Sequence, residues 1–270
     1  MTLSPSSNHP DLLDRIQTFD AETQRGLTAF TRELFAQEDE VLAHVRRRTR
    51  ELGMPEIQIR PEEGKILYFL ARMIGARHIL EVGTLAGYST IWLARALPDD
   101  GSVVTLEVEP AHARVAREHF ALAGLNGRVE IVEGSAHETL PVLARREPFD
   151  MMFIDADKAG YPAYLAWALE HLPNGALIVA HNAFRGGDLI SDAPDDAVLA
   201  TRELLNAMAR DERLLSTIIP VGDGFAVGKD APPEALEFLE FLVNEQNQRT
   251  WGEAGSGIPV NGAASDAVGP

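Results

Sequence analysis

His78-Ile79-Leu80-Glu81-Val82-Gly83-Thr84-Leu85-Ala86-Gly87-Tyr88-Ser89-Thr90 is the stretch that decides the fold. A short apolar run stops at Glu81–Val82, a glycine-bearing turn follows at once, and an amphipathic segment, Ser89–Leu97, begins where the turn ends. Strand, Gly-rich turn and helix in direct succession form the repeating unit of doubly wound α/β sheets. Gly83 and Gly87 supply positive φ and room for close backbone approach. The helix start behind them offers unpaired N–H groups and a partial positive charge to an anion.

The alternation continues outward. Apolar runs at Val103–Glu107, Val129–Val132, Asp150–Ile154 and Ala176–Ala180 read as strands buried on both faces, hence parallel. Helical periodicity at Ala111–Ala123, His137–Arg145 and Tyr161–His171 supplies the crossovers. After a helix around Asp196–Ala209, the runs Leu214–Ile219 and Phe225–Val227 flank the short Gly-rich link Pro220–Gly224, which predicts an antiparallel hairpin. A last helix is expected at about Pro233–Asn247. Ahead of the sheet, residues 11–54 form a helical arm, with a helical pattern from Leu12 to about Leu52 that a Gly53-Met54-Pro55 break closes. Residues 1–10 and 251–270 read as a disordered lead and tail, leaving 55–250 as the α/β domain.

The bulk numbers narrow the function. The 270 residues carry 24 Lys and Arg against 41 Asp and Glu, a net charge of −17, which disfavours nucleic acid and anionic membranes. Arg46-Arg47-Arg48 then reads as a solvated helix face. With no cysteine, disulfides, Cys-ligated zinc and thiol chemistry are excluded. No apolar run approaches the roughly 20 residues of a membrane span, and the polar start lacks a signal-peptide pattern. A cytoplasmic protein acting on a small molecule is the expectation.

The turn spacing bears on the cofactor. A dinucleotide fingerprint, G-x-G-x-x-G, would need glycine where Leu85 stands. Glu81 is out of place beside a pyrophosphate but suits the methionine ammonium of S-adenosylmethionine. Glu107, at the end of the next strand, can accept both ribose hydroxyls. Glu133-Gly134-Ser135-Ala136, ending the third, is a small turn with room to border an adenine ring, which makes Ser135 and Ala136 cofactor-site candidates. All of these meet at the carboxyl ends of the strands, where open α/β sheets bind ligands.

Pro61-Glu62-Glu63-Gly64, Leu80–Ser89, Glu107, Glu133–Ala136, Phe153-Ile154-Asp155-Ala156-Asp157-Lys158 with Tyr161 and Tyr164, Gly175–Asn182 and Gly222–Val227 together resemble the catechol and caffeoyl-CoA O-methyltransferase-like family. The resemblance spans about residues 55–230. It implies a Rossmann-like class I methyltransferase fold, a mostly parallel seven-stranded sheet with a C-terminal antiparallel hairpin, and a homodimer. It implies that Gly83, Tyr88, Ser89 and Glu107 hold S-adenosylmethionine with Ala136 against the adenine. It further implies a divalent cation, usually magnesium, on Asp155 and on an Asp-Asn pair at 181 and 182, gripping a small phenolic, catechol-like acceptor whose proton Lys158 accepts. A natural-product pathway is one setting for such chemistry.

Position 181 departs from that pattern, because the run reads Ala180-His181-Asn182. His181 as a ligand, with Asp155 and Asn182, would suit manganese, iron, cobalt, nickel or zinc better than magnesium. His181 as a general base would make the enzyme metal-independent and open it to other nucleophiles. His181 merely packed is the third reading. Asp157 is a candidate for the missing carboxylate, and Arg185 in Phe184-Arg185-Gly186-Gly187 for contact with an acidic acceptor. His112, His119 and His137 read as surface residues, Trp92 and Trp167 as core. A non-catalytic cofactor-binding protein, or more weakly a nicotinamide dehydrogenase, remains open at this stage.

Overall fold

The computed structural model describes residues 20–146 and 148–230. The expected lead, the helix at Pro233–Asn247 and the tail lie outside them. The described part of the helical arm holds two helices, α1 (Ala21–Phe35) and α2 (Glu40–Glu51). Asp20 and Asp39 each cap one, accepting from Thr23 N and Leu42 N, and Asp39 thereby interrupts what the sequence reads as one pattern. The structure adds α3 (Pro61–Met73), which the sequence reading lacked. Pro61 opens it, and the Glu63 carboxylate turns back to accept from Arg60 N at 2.7 Å.

The sheet follows as β1 (His78–Val82), β2 (Ser102–Glu107), β3 (Val129–Glu133), β4 (Met151–Ile154), β5 (Leu177–His181), β6 (Leu214–Ile219) and β7 (Phe225–Asp230). Between them run α4 (Tyr88–Ala96), α5 (Pro110–Leu122), α6 (Ala136–Leu143), α7 (Tyr161–His171) and α8 (Asp196–Arg210). Strand order is β3-β2-β1-β4-β5-β7-β6, with β1 to β5 parallel and β7 antiparallel to both neighbours. The order reverses between β1 and β4, so β1 sits mid-sheet with both faces covered.

Alternation along the strands splits the core in two. Ile79, Val103, Met151, Phe153 and Val179 face α2 to α5, packing against Leu67, Ile91, Leu93 and Phe120. Leu80, Leu106, Met152, Ile154 and Ile178 face α6 to α8, packing against Leu140, Tyr161, Leu165 and Leu204. Each such fully buried aliphatic or aromatic side chain is worth about 1.5–3 kcal/mol, so the sheet is the rigid base on which the loops at its carboxyl edge are carried. Trp92 and Trp167 are buried as expected. His119 is a correction: it is 2% exposed, on the inward face of α5, with Nδ1 2.8 Å from the Ala86 carbonyl oxygen.

Candidate active site

The carboxyl ends of β1, β2 and β4 open on a cavity of about 590 Å³. The β1–α4 turn forms its floor. Gly83 has φ +104°, and a Cβ there would lie 2.2 Å from the Asp155 carbonyl oxygen, so the close approach of β1 and β4 requires glycine. Leu85 sits at φ +49° despite its side chain. Glu107 holds it there: Oε2 accepts from Leu85 N at 2.7 Å and from Thr84 N at 3.2 Å, while Oε1 accepts from Glu109 N. Glu107 therefore shapes the turn and also lines the cavity. Glu81 does not reach the cavity. It is fully buried behind the turn, where its carboxylate accepts from Ser89, Thr90 and Thr105 hydroxyls, and burial pushes it up to about 7.

Gly83, Tyr88, Ser89, Glu107, Ala136 and Asp155 line the cavity, whereas Ser135 does not and starts α6 instead. The Tyr88 hydroxyl points away, donating to Glu38 Oε1 of the arm at 2.8 Å. Lys158, Asn182 and Arg185 form the opposite wall. Gln58, unread in the sequence, lines the cavity with a buried, unpartnered Oε1. His112, expected on the surface, also lines it.

Beside the cavity runs a row of alternating charge. His181 Nε2 lies 2.9 Å from Glu63 Oε1 and its Nδ1 3.1 Å from Asp155 Oδ2. Asp155 Oδ1 accepts from Lys158 Nζ at 3.1 Å. A neutral imidazole carries one N–H, so one of its two nitrogens would oppose a carboxylate with lone pair against lone pair. With both carboxylates ionised, only the imidazolium satisfies both contacts. Burial pulls the His181 pKa down, but Asp155 and Glu63 outweigh it and raise it to about 9. Burial opposes Asp155 and Glu63 likewise, yet the cations win, lowering Glu63 and holding Asp155 at about 2. For Lys158 the balance is reversed, and burial lowers its pKa despite Asp155. Tyr161 accepts from Lys158 Nζ and donates to the His181 carbonyl oxygen, tying the wall to the end of β5.

A sequence model of the O-methyltransferase family matches residues 32–230. The chain belongs to this family of S-adenosylmethionine-dependent O-methyltransferases. It is 44% identical over 178 residues to a catechol O-methyltransferase of Niastella koreensis, covering 65% of this chain and 80% of that one. It is 46% identical over 179 residues to one of Mycobacterium tuberculosis, covering 64% and 81%. Among solved structures, a Streptomyces achromogenes O-methyltransferase involved in tomaymycin synthesis, in complex with SAM, superposes with a TM-score of 0.74 at 37% identity, covering 80% of this chain and all of that one. A Bacillus cereus O-methyltransferase in complex with SAH gives 0.73 at 37%, covering 77% and 99%.

In this O-methyltransferase the donors do not fit the divalent cation that the resemblance implied. A ligating imidazole must present a lone pair, and both His181 nitrogens face carboxylates. Both Asp155 oxygens are engaged by cations. The Asn182 amide nitrogen donates to Asp223 Oδ2 at 2.9 Å, a bond that leaves its carbonyl oxygen unused, and Asp223 Oδ1 accepts from Gly186 N, so Asn182 alone of the implied set keeps a ligating atom. Asp157 accepts from Tyr164 OH and Gly160 N, one bond at each oxygen, which fixes its carboxylate in the loop after β4. Among the described residues no group of three or more His, Cys, Asp or Glu is placed to hold a metal. The doubly engaged His181 is no free base either. Glu63 and Asp223 are the site residues that sequence reading missed.

Proposed function

We propose that the chain moves a methyl group from S-adenosylmethionine to a hydroxyl of a small catechol-like phenol, with Lys158 as the base. The observation that carries this reading is Lys158, its pKa lowered by burial, on the wall of the cavity floored by the Gly83–Gly87 turn. The methionine carboxylate would meet the first-turn amides of α4, the ammonium the orphan Gln58 Oε1, the ribose Glu107, and the adenine Ala136. Unprotonated Lys158 takes the hydroxyl proton, the phenolic oxygen attacks the methyl carbon, and the C–S bond breaks with its electron pair returning to sulfur. S-adenosylhomocysteine and the methyl ether are the products. The cavity's task is alignment of oxygen, carbon and sulfur.

Ile57 and Ile59 offer apolar wall for a ring. Arg185 Nε is buried without a partner at the same wall, which favours a phenol that also bears a carboxylate. The reading includes a homodimer, because α1 leaves Leu27, Phe30, Leu34 and Phe35 exposed. It includes a cytoplasmic location, and no described helix is long and apolar enough to cross a membrane.

The test is incubation with S-adenosylmethionine and a panel of catechols and simple phenols, with and without a carboxylate, read by mass spectrometry. Methylated catechols are expected. Cofactor binding with no product from any phenol would sink the acceptor assignment. A single 29.5 kDa species in solution would remove the dimer.

A further inference from the structure

The pairing of Glu63, His181 and Asp155 deepens the proposed reaction and rests on it. We propose that this O-methyltransferase works without a divalent cation, because the His181 ring is built into the place of one and is held there by Glu63.

Three observations carry it. The first is saturation: the ring spans two carboxylates with hydrogen bonds at both nitrogens, and its side chain is 6% exposed with Glu63 at 4%. The second is charge balance. Glu63 and Asp155 contribute two negative charges, His181 and Lys158 two positive, and the row closes at zero. A divalent ion added there would bring two positive charges that the row itself does not balance into a largely buried cluster, unless protons left it. The third is that the fold is committed to the arrangement. Gly222, at φ +60°, passes so close to Glu63 that a Cβ would lie 1.8 Å from Oε1, and Asp223 N donates to the same oxygen at 3.3 Å. The hairpin end between β6 and β7 is shaped around the Glu63 carboxylate.

His181 does not line the cavity, so it is a positioning residue that acts through Asp155. It fixes the Asp155 carboxylate, which in turn holds Lys158 at the cavity wall. A metal would have both oriented the acceptor and acidified its hydroxyl. Without one, deprotonation falls to Lys158, and orientation to the cavity wall.

The experiment uses the full chain and Mn²⁺ as the probe, with the free-ion signal followed by electron paramagnetic resonance. Wild type should leave the free Mn²⁺ signal undiminished, and EDTA should leave its methylation rate unchanged. His181→Asp restores two carboxylates and an amide at 155, 181 and 182, and should remove free Mn²⁺ in proportion to protein added. Because a third carboxylate against Glu63 and Asp155 could prevent folding, the double variant Glu63→Gln/His181→Asp is run beside it, with S-adenosylmethionine binding as the control for fold. Stoichiometric Mn²⁺ uptake by wild type, or a rate abolished by EDTA and restored by one metal, would overturn the proposal. So would refusal of Mn²⁺ by both folded variants, since the obstacle would then lie elsewhere than His181. The phenol assay fails separately: a wild type that refuses Mn²⁺ and methylates no phenol leaves this inference standing and removes the acceptor reading.

Discussion

Glu63→Gln isolates the ion pair at the centre of the site. Glutamine keeps the shape of the side chain but loses its charge and one of two acceptor oxygens. Glu63 uses both, one for Arg60 N and the other for His181 Nε2 and Asp223 N. Two unit charges about 4 Å apart interact by roughly 4 kcal/mol at an effective dielectric constant of about 20. Part of this is offset by the relief of burying a carboxylate, and the lost acceptor adds to it. A net loss of about 3 kcal/mol at pH 6 is expected, the lower end for breaking a buried pair. For a domain of this size that is a fall in Tm of roughly 6–12 °C. Urea denaturation of both proteins across pH separates the contributions. The folded-state pKa of His181 lies at about 9, above its unfolded value of 6.5. Its stabilisation is therefore fully present below 6.5 and is lost as pH rises through 9. The gap between wild type and variant should be widest near pH 6 and shrink towards a small remainder, the lost cap, above 9. A gap of equal size at pH 6 and above 9 would show that Glu63 matters as a cap alone, and a gap under about 1 kcal/mol at pH 6 would refute the buried pair.

Three further outcomes follow from the site. Lys158→Met keeps the aliphatic stem and removes the base, so kcat should fall on the order of 10²–10⁴-fold while S-adenosylmethionine binding, followed calorimetrically, is retained. Since Lys158 must be unprotonated to act, wild-type kcat should climb with pH, and that limb should be absent from Lys158→Met. Glu107→Ala frees the Thr84 and Leu85 amides and lets Leu85 leave φ +49°, so cofactor affinity should weaken by about 1–3 kcal/mol, a roughly 5- to 150-fold rise in Kd. Gly83→Ala forces a side chain onto the Asp155 carbonyl at a backbone angle that costs about 1–3 kcal/mol before any clash, so Tm and cofactor binding should fall together.

How far the sequence reaches can be argued residue by residue. Strand ends at His78–Val82 and Leu214–Ile219, and the helix Tyr161–His171, are legible because apolar runs there are bounded by glycine, proline or charge, which local physics decides. Strand order is narrowed but not fixed by the same alternation, since crossovers of one hand leave a few topologies. α3 was legible in principle: Pro61 begins it, and Leu67, Leu70, Ala71 and Ile74 recur at helical spacing, all packed on the core. His119 carried a signal too, lying one position before Phe120 and three after Ala116, on the stripe that α5 buries. Glu81 and Glu107 differ for a reason no pattern records. Both end strands at the same sheet edge, yet Thr105, on the neighbouring strand, draws one carboxylate inward, and the amides of Thr84 and Leu85 draw the other to the cavity.

The charge row marks where sequence reading stops. Glu63 and His181 are 118 residues apart, and nothing at either position names the other. Taken singly, Glu63 is the acidic residue of a capping box and His181 an ionisable side chain at a strand end. What the sequence does show is a histidine where the resemblance calls for aspartate, which alters the charge of the site by up to two units. Among the described residues, the further carboxylate engaging the ring comes from α3, across the β6–β7 hairpin end that Asp223 occupies. The pairing is therefore tertiary: it depends on the start of α3, the end of β5 and the hairpin meeting at one point. That is why His181 could be read as ligand, base or packing residue from the chain alone, and why the fold, by giving both of its nitrogens to carboxylates, leaves it as a fixed cation.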